Sequence, residues 1–143
     1  MSRIPPIVLF YGLAGLIPFL AAPLATQAFP DFRWQFTESL LGWAAIILSF
    51  LGGARWGAAV QTTQPAPALI GLAMLPSIFG WLVLLAPAKY RVAQLLALAA
   101  ALVLHFIWDW AARGLPGWYG RLRLALTAGA VAALGWQAAL QGG

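Results

Sequence analysis

Cysteine is absent from these 143 residues, which excludes disulfides, thiolate metal sites and cysteine nucleophiles. Acids are nearly absent. Asp31, Glu38 and Asp109 are the whole set, too few and too scattered for a paired-carboxylate mechanism. One histidine, His105, is not a metal ligand set without clustered acids or thiols. Haem accepts a single proximal histidine but is disfavoured, so the expectation is no metal and no cofactor. Charge of either sign is scarce, at 8% of residues against ~25% in soluble domains.

What fills the chain is apolar: 63% of it against a usual ~45–50%. No water-soluble core of this size hides that much apolar surface, so the chain reads as one membrane domain, residues 1–143. The net charge of +5 does not point to nucleic acid, because the basic residues are single or paired and form no polar face. In a membrane they set topology and meet anionic head groups.

Five runs approach the ~20 apolar residues that a membrane helix needs. They are Pro5 to Leu24, Glu38 to Val60, Ala66 to Ala86, Val92 to Ala112 and Leu122 to Leu140. The fold expected is all-α, a polytopic bundle of five transmembrane helices. Pro18 should kink the first, with Gly15 easing the bend, and Pro76 the third. Ala25 to Thr37 reads as an interfacial loop, with room for a short surface helix. Arg3 and the first run loosely imitate a signal peptide, but the run is long for one and carries Pro18 and Pro23, so the first helix is expected to be retained.

Counting Lys and Arg on alternate sides places Arg3, Arg55, Arg113, Arg121 and Arg123 against Arg33, Lys89 and Arg91. That bias puts the N-terminus in the cytoplasm, or the mitochondrial matrix, and the C-terminus outside. The tryptophans divide evenly into two belts: Trp56, Trp108, Trp110 and Trp118 inside, Trp34, Trp43, Trp81 and Trp136 outside. This is the interfacial anchoring expected of aromatic residues.

The stretch from Ile47 to Gly57 carries Arg55 inside an apolar run, where insertion costs about 2.5–3.5 kcal/mol at a helix centre. Gly52, Gly53 and Gly57 surround it, and Gly53-x-x-x-Gly57 has the small-xxx-small spacing of close helix packing. Gly12 and Gly15 are further packing surfaces. Asp109 lies at a depth similar to Arg55 on the fourth helix, with His105 one turn deeper on the same face. The fifth helix opens beside them, so Arg55, Trp56, His105, Asp109, Trp118, Tyr119, Arg121 and Arg123 can gather at the inner boundary. Such a cluster holds an acidic head group, a quinone head or a proton, or else it locks the second helix to the fourth. The nearness of a helix end favours the lock. A plainer arrangement pairs Asp109 with Arg113 and lets Arg55 snorkel. Ser49 and Ser77 read as packing hydroxyls, since no base stands near either.

Several segments together resemble the family of proteobacterial and mitochondrial membrane proteins grouped with human transmembrane protein sixty-nine. They are Gly12-Leu13-Ala14-Gly15-Leu16-Ile17-Pro18-Phe19, the whole Ile47 to Gly57 stretch, and Pro76-Ser77-Ile78-Phe79-Gly80-Trp81. Asp109 follows, then Leu115-Pro116-Gly117-Trp118-Tyr119-Gly120-Arg121-Leu122-Arg123 and Leu126-Thr127. The resemblance implies a small multi-spanning protein of bacterial inner or mitochondrial membranes and points to Arg55, Trp56, Asp109, Trp118, Tyr119, Arg121 and Arg123. It implies no activity, and His105 falls outside its motifs.

With minimal loops, there is little surface on which to build a soluble active site. The function expected is non-enzymatic: an accessory or assembly subunit of an energy-transducing membrane complex, docking by helix packing and lipid contacts. Its partners would be membrane lipids and other integral subunits. The alternative is a lipid- or quinone-binding protein, or a small carrier, with a polar pocket around Arg55 and Asp109.

Overall fold

A computed structural model of the chain describes residues 3–112 and 114–142. The described residues form helices and turns with no strand. In chain order the helices are α1 (Pro6–Ala14), α2 (Ile17–Ala28), α3 (Arg33–Val60), α4 (Pro67–Leu84), α5 (Arg91–Ala111) and α6 (Tyr119–Leu140). Taking α1 and α2 as one run, five segments are long and apolar enough to cross a membrane.

Proline opens α1 and α4, where the first N–H groups have no intrahelical partner to lose. The first apolar run is broken rather than simply bent. Gly15 and Leu16 form a turn tightened by bonds from their N–H groups to the carbonyls of Gly12 and Leu13. Pro18 then falls in the first turn of α2, where its missing N–H costs nothing. The exposed end of α1 is anchored from outside, because Trp43 Nε1 donates to the Gly15 carbonyl at 3.1 Å. Trp43 therefore serves this break rather than the outer belt. By contrast, α4 runs uninterrupted through Pro76, and the adjacent Ser77 hydroxyl pairs with that of Ser49 on α3 at 2.7 Å.

The connection expected over residues 25–37 is shorter than its composition suggests. The second helix continues to Ala28, a single 3-10 turn covers Pro30–Phe32, and α3 starts at Arg33. The reason is that Thr26 and Thr37 are buried side chains of the bundle, not loop residues.

Packing follows from inward stripes at three- and four-residue spacing. On α5 the stripe is Gln94, Leu95, Leu98, Leu102, His105 and Asp109. On α6 it is Arg123, Thr127, Ala130, Leu134 and Gln137. On α3 it runs from Thr37 through Leu41, Leu48 and Leu51 to Arg55. Helices α2, α3, α5 and α6 close around these stripes, α4 lies along α3 with fewer contacts to α5, and α1 rests on α6. Each stripe is apolar in the middle and polar toward both ends. From Asp109 to Gln94 is ~22 Å and from Arg123 to Gln137 ~21 Å at 1.5 Å per residue. The bundle thus has two polar layers that both fit within the ~30 Å of a hydrocarbon core, toward its two boundaries.

The layer at the α3 N-terminal end is a hydrogen-bonded one. Gln137 Nε2 donates to Thr37 Oγ1 at 2.8 Å and to Thr26 Oγ1 at 3.0 Å, and the Thr37 hydroxyl donates to the Arg33 carbonyl. Gln94 Nε2 donates to the carbonyls of Val83 and Ala86, closing the C-terminus of α4. Arg33 does the same for Leu140 of α6. Arg91 joins Gln94 to Glu38. Replacing Gln137 with leucine should cost about 1 kcal/mol, the usual worth of an interhelical hydrogen bond in a membrane. Detergent-induced unfolding of the variant checks this.

Candidate functional site

The second polar layer forms where the C-terminal turns of α3 and α5 meet the start of α6. Asp109 stands at its centre with its side chain 1% exposed. Arg55 Nε on α3 donates to Oδ1 at 2.7 Å, and Arg123 Nε on α6 donates to Oδ2 at 2.8 Å. Arg55 also donates through Nη2 to the Trp108 carbonyl at 3.1 Å, and its guanidinium lies 5.1 Å from the Trp108 ring centre. One carboxylate therefore joins three helices through two arginines, with each oxygen engaged.

Of the residues expected here, Arg55, Asp109 and Arg123 meet directly. Tyr119 is half-buried within Coulombic reach of all three, and Trp118 packs edge-on against the Tyr119 ring at 6.1 Å. Trp56 and Arg121 are exposed. Arg113, the intrahelical alternative for Asp109, lies outside the described residues. Arg55 does not snorkel away: its interaction is with Asp109.

His105 is different. Its side chain is 2% exposed, yet neither ring nitrogen has a hydrogen-bond partner. Nδ1 makes a 3.4 Å ion-pair contact with Asp109 Oδ2, which also accepts from Arg123, so Nε2 is the nitrogen left without any partner. Such orphaned buried groups are uncommon and call for an explanation. His105 and Trp108 lie at one end of an apolar crevice of about 520 Å³ between α4 and α5. Leu72, Leu75 and Phe79 of α4 form one wall, Ala97, Ala100, Ala101 and Leu104 of α5 the other, and Leu48 of α3 the floor. The alanines are the cause of the crevice, since short side chains leave the gap between two diverging neighbours unfilled. Its volume lies within the ~300–1,000 Å³ of small-molecule sites.

The glycines sort into two sets. At Gly52 a Cβ would stand 2.6 Å from the Ala73 carbonyl oxygen, and at Gly80 3.3 Å from Ala45, so these two set the close approach of α3 and α4. Gly12 packs against Leu122 and Leu126 of α6. Gly15 forms the helix break already described. Gly53 and Gly57 have nothing within 4 Å of a Cβ position, so the small-xxx-small pair faces outward instead of holding α4.

The sequence reading left out Thr127, Gln94, Gln137 and the Arg91–Glu38 pair as members of the polar layers. Their signal was periodicity. Arg123, Thr127 and Gln137 fall on one stripe of α6, a polar-at-both-ends pattern hidden by the alanines between them. No three His, Asp or Glu side chains come together as a metal site among the described residues.

A family model described as "Protein of unknown function (DUF3429)" matches residues 4–139. Transmembrane protein 69 of Xenopus tropicalis is 36% identical over 135 residues, covering 91% of this chain and 53% of that protein. Transmembrane protein 69 of Mus musculus is 32% identical over 130 residues, covering 86% and 51%. The chain thus spans about half the length of the curated relatives it matches. No solved structure matches it.

Proposed function

Since the chain belongs to the DUF3429 family, whose Transmembrane protein 69 relatives are membrane proteins by name, we propose that it is a multi-pass membrane protein that binds a lipophilic molecule rather than an enzyme. The ligand lies in the crevice between α4 and α5. The observation that carries this reading is His105, buried with Nε2 unpartnered at the end of an apolar space. A quinone or a lipid ester offers what that space lacks: a long apolar body and a carbonyl or hydroxyl for the imidazole. Arg55 and Asp109 have the role of a lock, because they satisfy one another. On the positive-inside count the N-terminus is cytoplasmic and the C-terminus periplasmic in a bacterial inner membrane.

The test is a titration of purified protein with a short-chain quinone, read by quenching of tryptophan fluorescence, since Trp108 lines the crevice. Substituting His105→Leu should weaken binding about tenfold, the worth of one buried hydrogen bond, and leave the unfolding temperature unchanged or raised. Equal affinity in the variant would remove the reading.

A second reading has its own observation. Gly53 and Gly57 leave an open strip on α3 that fits a partner helix, as an accessory or assembly subunit of an energy-transducing complex would require. Under it, Gly53→Leu abolishes co-purification with other integral subunits without changing the stability of the isolated chain.

A further inference from the structure

Two arginines share one carboxylate in the inner polar layer, and His105 adds no negative charge. The layer therefore carries a surplus positive charge, buried at membrane depth: the Arg123 side chain is 5% exposed and that of Arg55 10%. Buried charge of one sign without an equal opposite is costly wherever the surroundings are apolar. The surplus is not spread evenly. Arg123 Nη2 has no hydrogen-bond partner, and neither does the hydroxyl of Thr127, one turn further along the same face of α6. Both residues line a second cavity, of about 120 Å³, on the side of α5 away from the His105 crevice. Its other walls are apolar: Leu16, Phe19, Leu51 and Leu102 among them. Two further lining residues, Tyr11 and Phe50, are each 68% exposed on the outside of the bundle.

From the unmatched charge, the two orphaned donors and the small adjoining cavity, we infer a binding site for a carboxylate-sized monoanion held by Arg123 and Thr127. The anion supplies the negative charge that Asp109 alone cannot, and accepts hydrogen bonds from the guanidinium Nη2 and the threonine hydroxyl. At ~30 Å³ per water the cavity has room for about four waters, or for a carboxylate with two or three methylene groups. Past Tyr11 and Phe50, which line the cavity and are exposed outside the bundle, a longer chain continues into the bilayer. A phosphodiester with its glycerol would press further polar atoms against apolar walls, so a fatty acid or a small free anion is the class that fits. The site is independent of the quinone or lipid reading at His105, since it lies in a different cavity and uses different side chains.

The experiment uses the full chain in lipid nanodiscs and four probes: dodecanoate, dodecanol, acetate and chloride. Saturable binding of dodecanoate, with dodecanol at least tenfold weaker, supports a site for the lipid carboxylate. If acetate or chloride displaces dodecanoate at comparable concentration, the anion site stands and its natural source is the aqueous phase. The variant Thr127→Val removes one donor at nearly constant volume and should weaken dodecanoate about tenfold while the fold is kept. Arg123→Lys, which retains charge but not the fork geometry, is the second variant, with circular dichroism to establish that it is folded. Dodecanol binding as tightly as dodecanoate would overturn the inference. So would unchanged dodecanoate affinity in a folded Thr127→Val protein.

Discussion

Replacing Asp109 with asparagine should unfold this protein more readily than any other single polar substitution in the bundle. Among the described residues the carboxylate is the only acid in contact with Arg55 and Arg123, so the neutral amide leaves two buried guanidinium charges without a counter-charge. Breaking a buried pair by removing one partner typically costs about 3–5 kcal/mol, because the remaining charge is stranded. Here two are stranded. Arg55→Leu should cost less, since Asp109 keeps Arg123 and only one helix is released. The combination Arg55→Leu with Asp109→Asn should cost less than the two single losses added, because the double variant strands one arginine rather than two. Reversible unfolding in mixed micelles, followed by circular dichroism, supplies the three values. Losses that simply add would mean that Arg55 and Asp109 are not coupled.

The second large effect is at Gly52. A methyl group there would sit 2.6 Å from the Ala73 carbonyl oxygen and 3.2 Å from the Pro76 ring. Neither is the free end of a flexible side chain, so α4 itself must move away. Overpacking of this kind costs about 1–3 kcal/mol. Gly52→Ala should also separate the Ser49 and Ser77 hydroxyls, less than a turn away on α3, and reshape the crevice that α4 walls. The same change one residue along, Gly53→Ala, meets open space and should be neutral or slightly stabilising through helix propensity. Opposite outcomes at adjacent glycines are a stringent comparison, because composition and depth are nearly the same.

Most of the architecture was readable from the chain. Runs of membrane length, prolines at helix starts and alternating basic residues report on bilayer physics that acts on every segment separately. Five spans and the neighbourhood of Arg55, Asp109 and Arg123 followed from that alone, since the alternation of helix direction brings the relevant ends together. The Ala25 to Thr37 segment was misread because two threonines and a proline look like a loop when their partner, Gln137, is a hundred residues away. Gly53 and Gly57 meet no helix among the described residues. A spacing of four places both on one face but does not say which neighbour that face meets, and α4 packs on Gly52 instead. The lone histidine says little in isolation. Its meaning depends on its surroundings: the arginines of α3 and α6 that engage both oxygens of Asp109, and the gap left between the small residues of α5 and the facing wall of α4.

The central claim is that ligand recognition rests on His105 in the α4–α5 crevice, while the Asp109 ion pairs hold the fold. The most direct measurement extracts the wild-type protein and the His105→Leu variant from their native membrane in mild detergent and quantifies the quinones and lipids that remain bound. The account predicts one lipophile enriched in near-equimolar amount on the wild type and absent from a variant of unchanged stability. The same bound molecules on both proteins, or only bulk membrane lipid on the wild type, would contradict it.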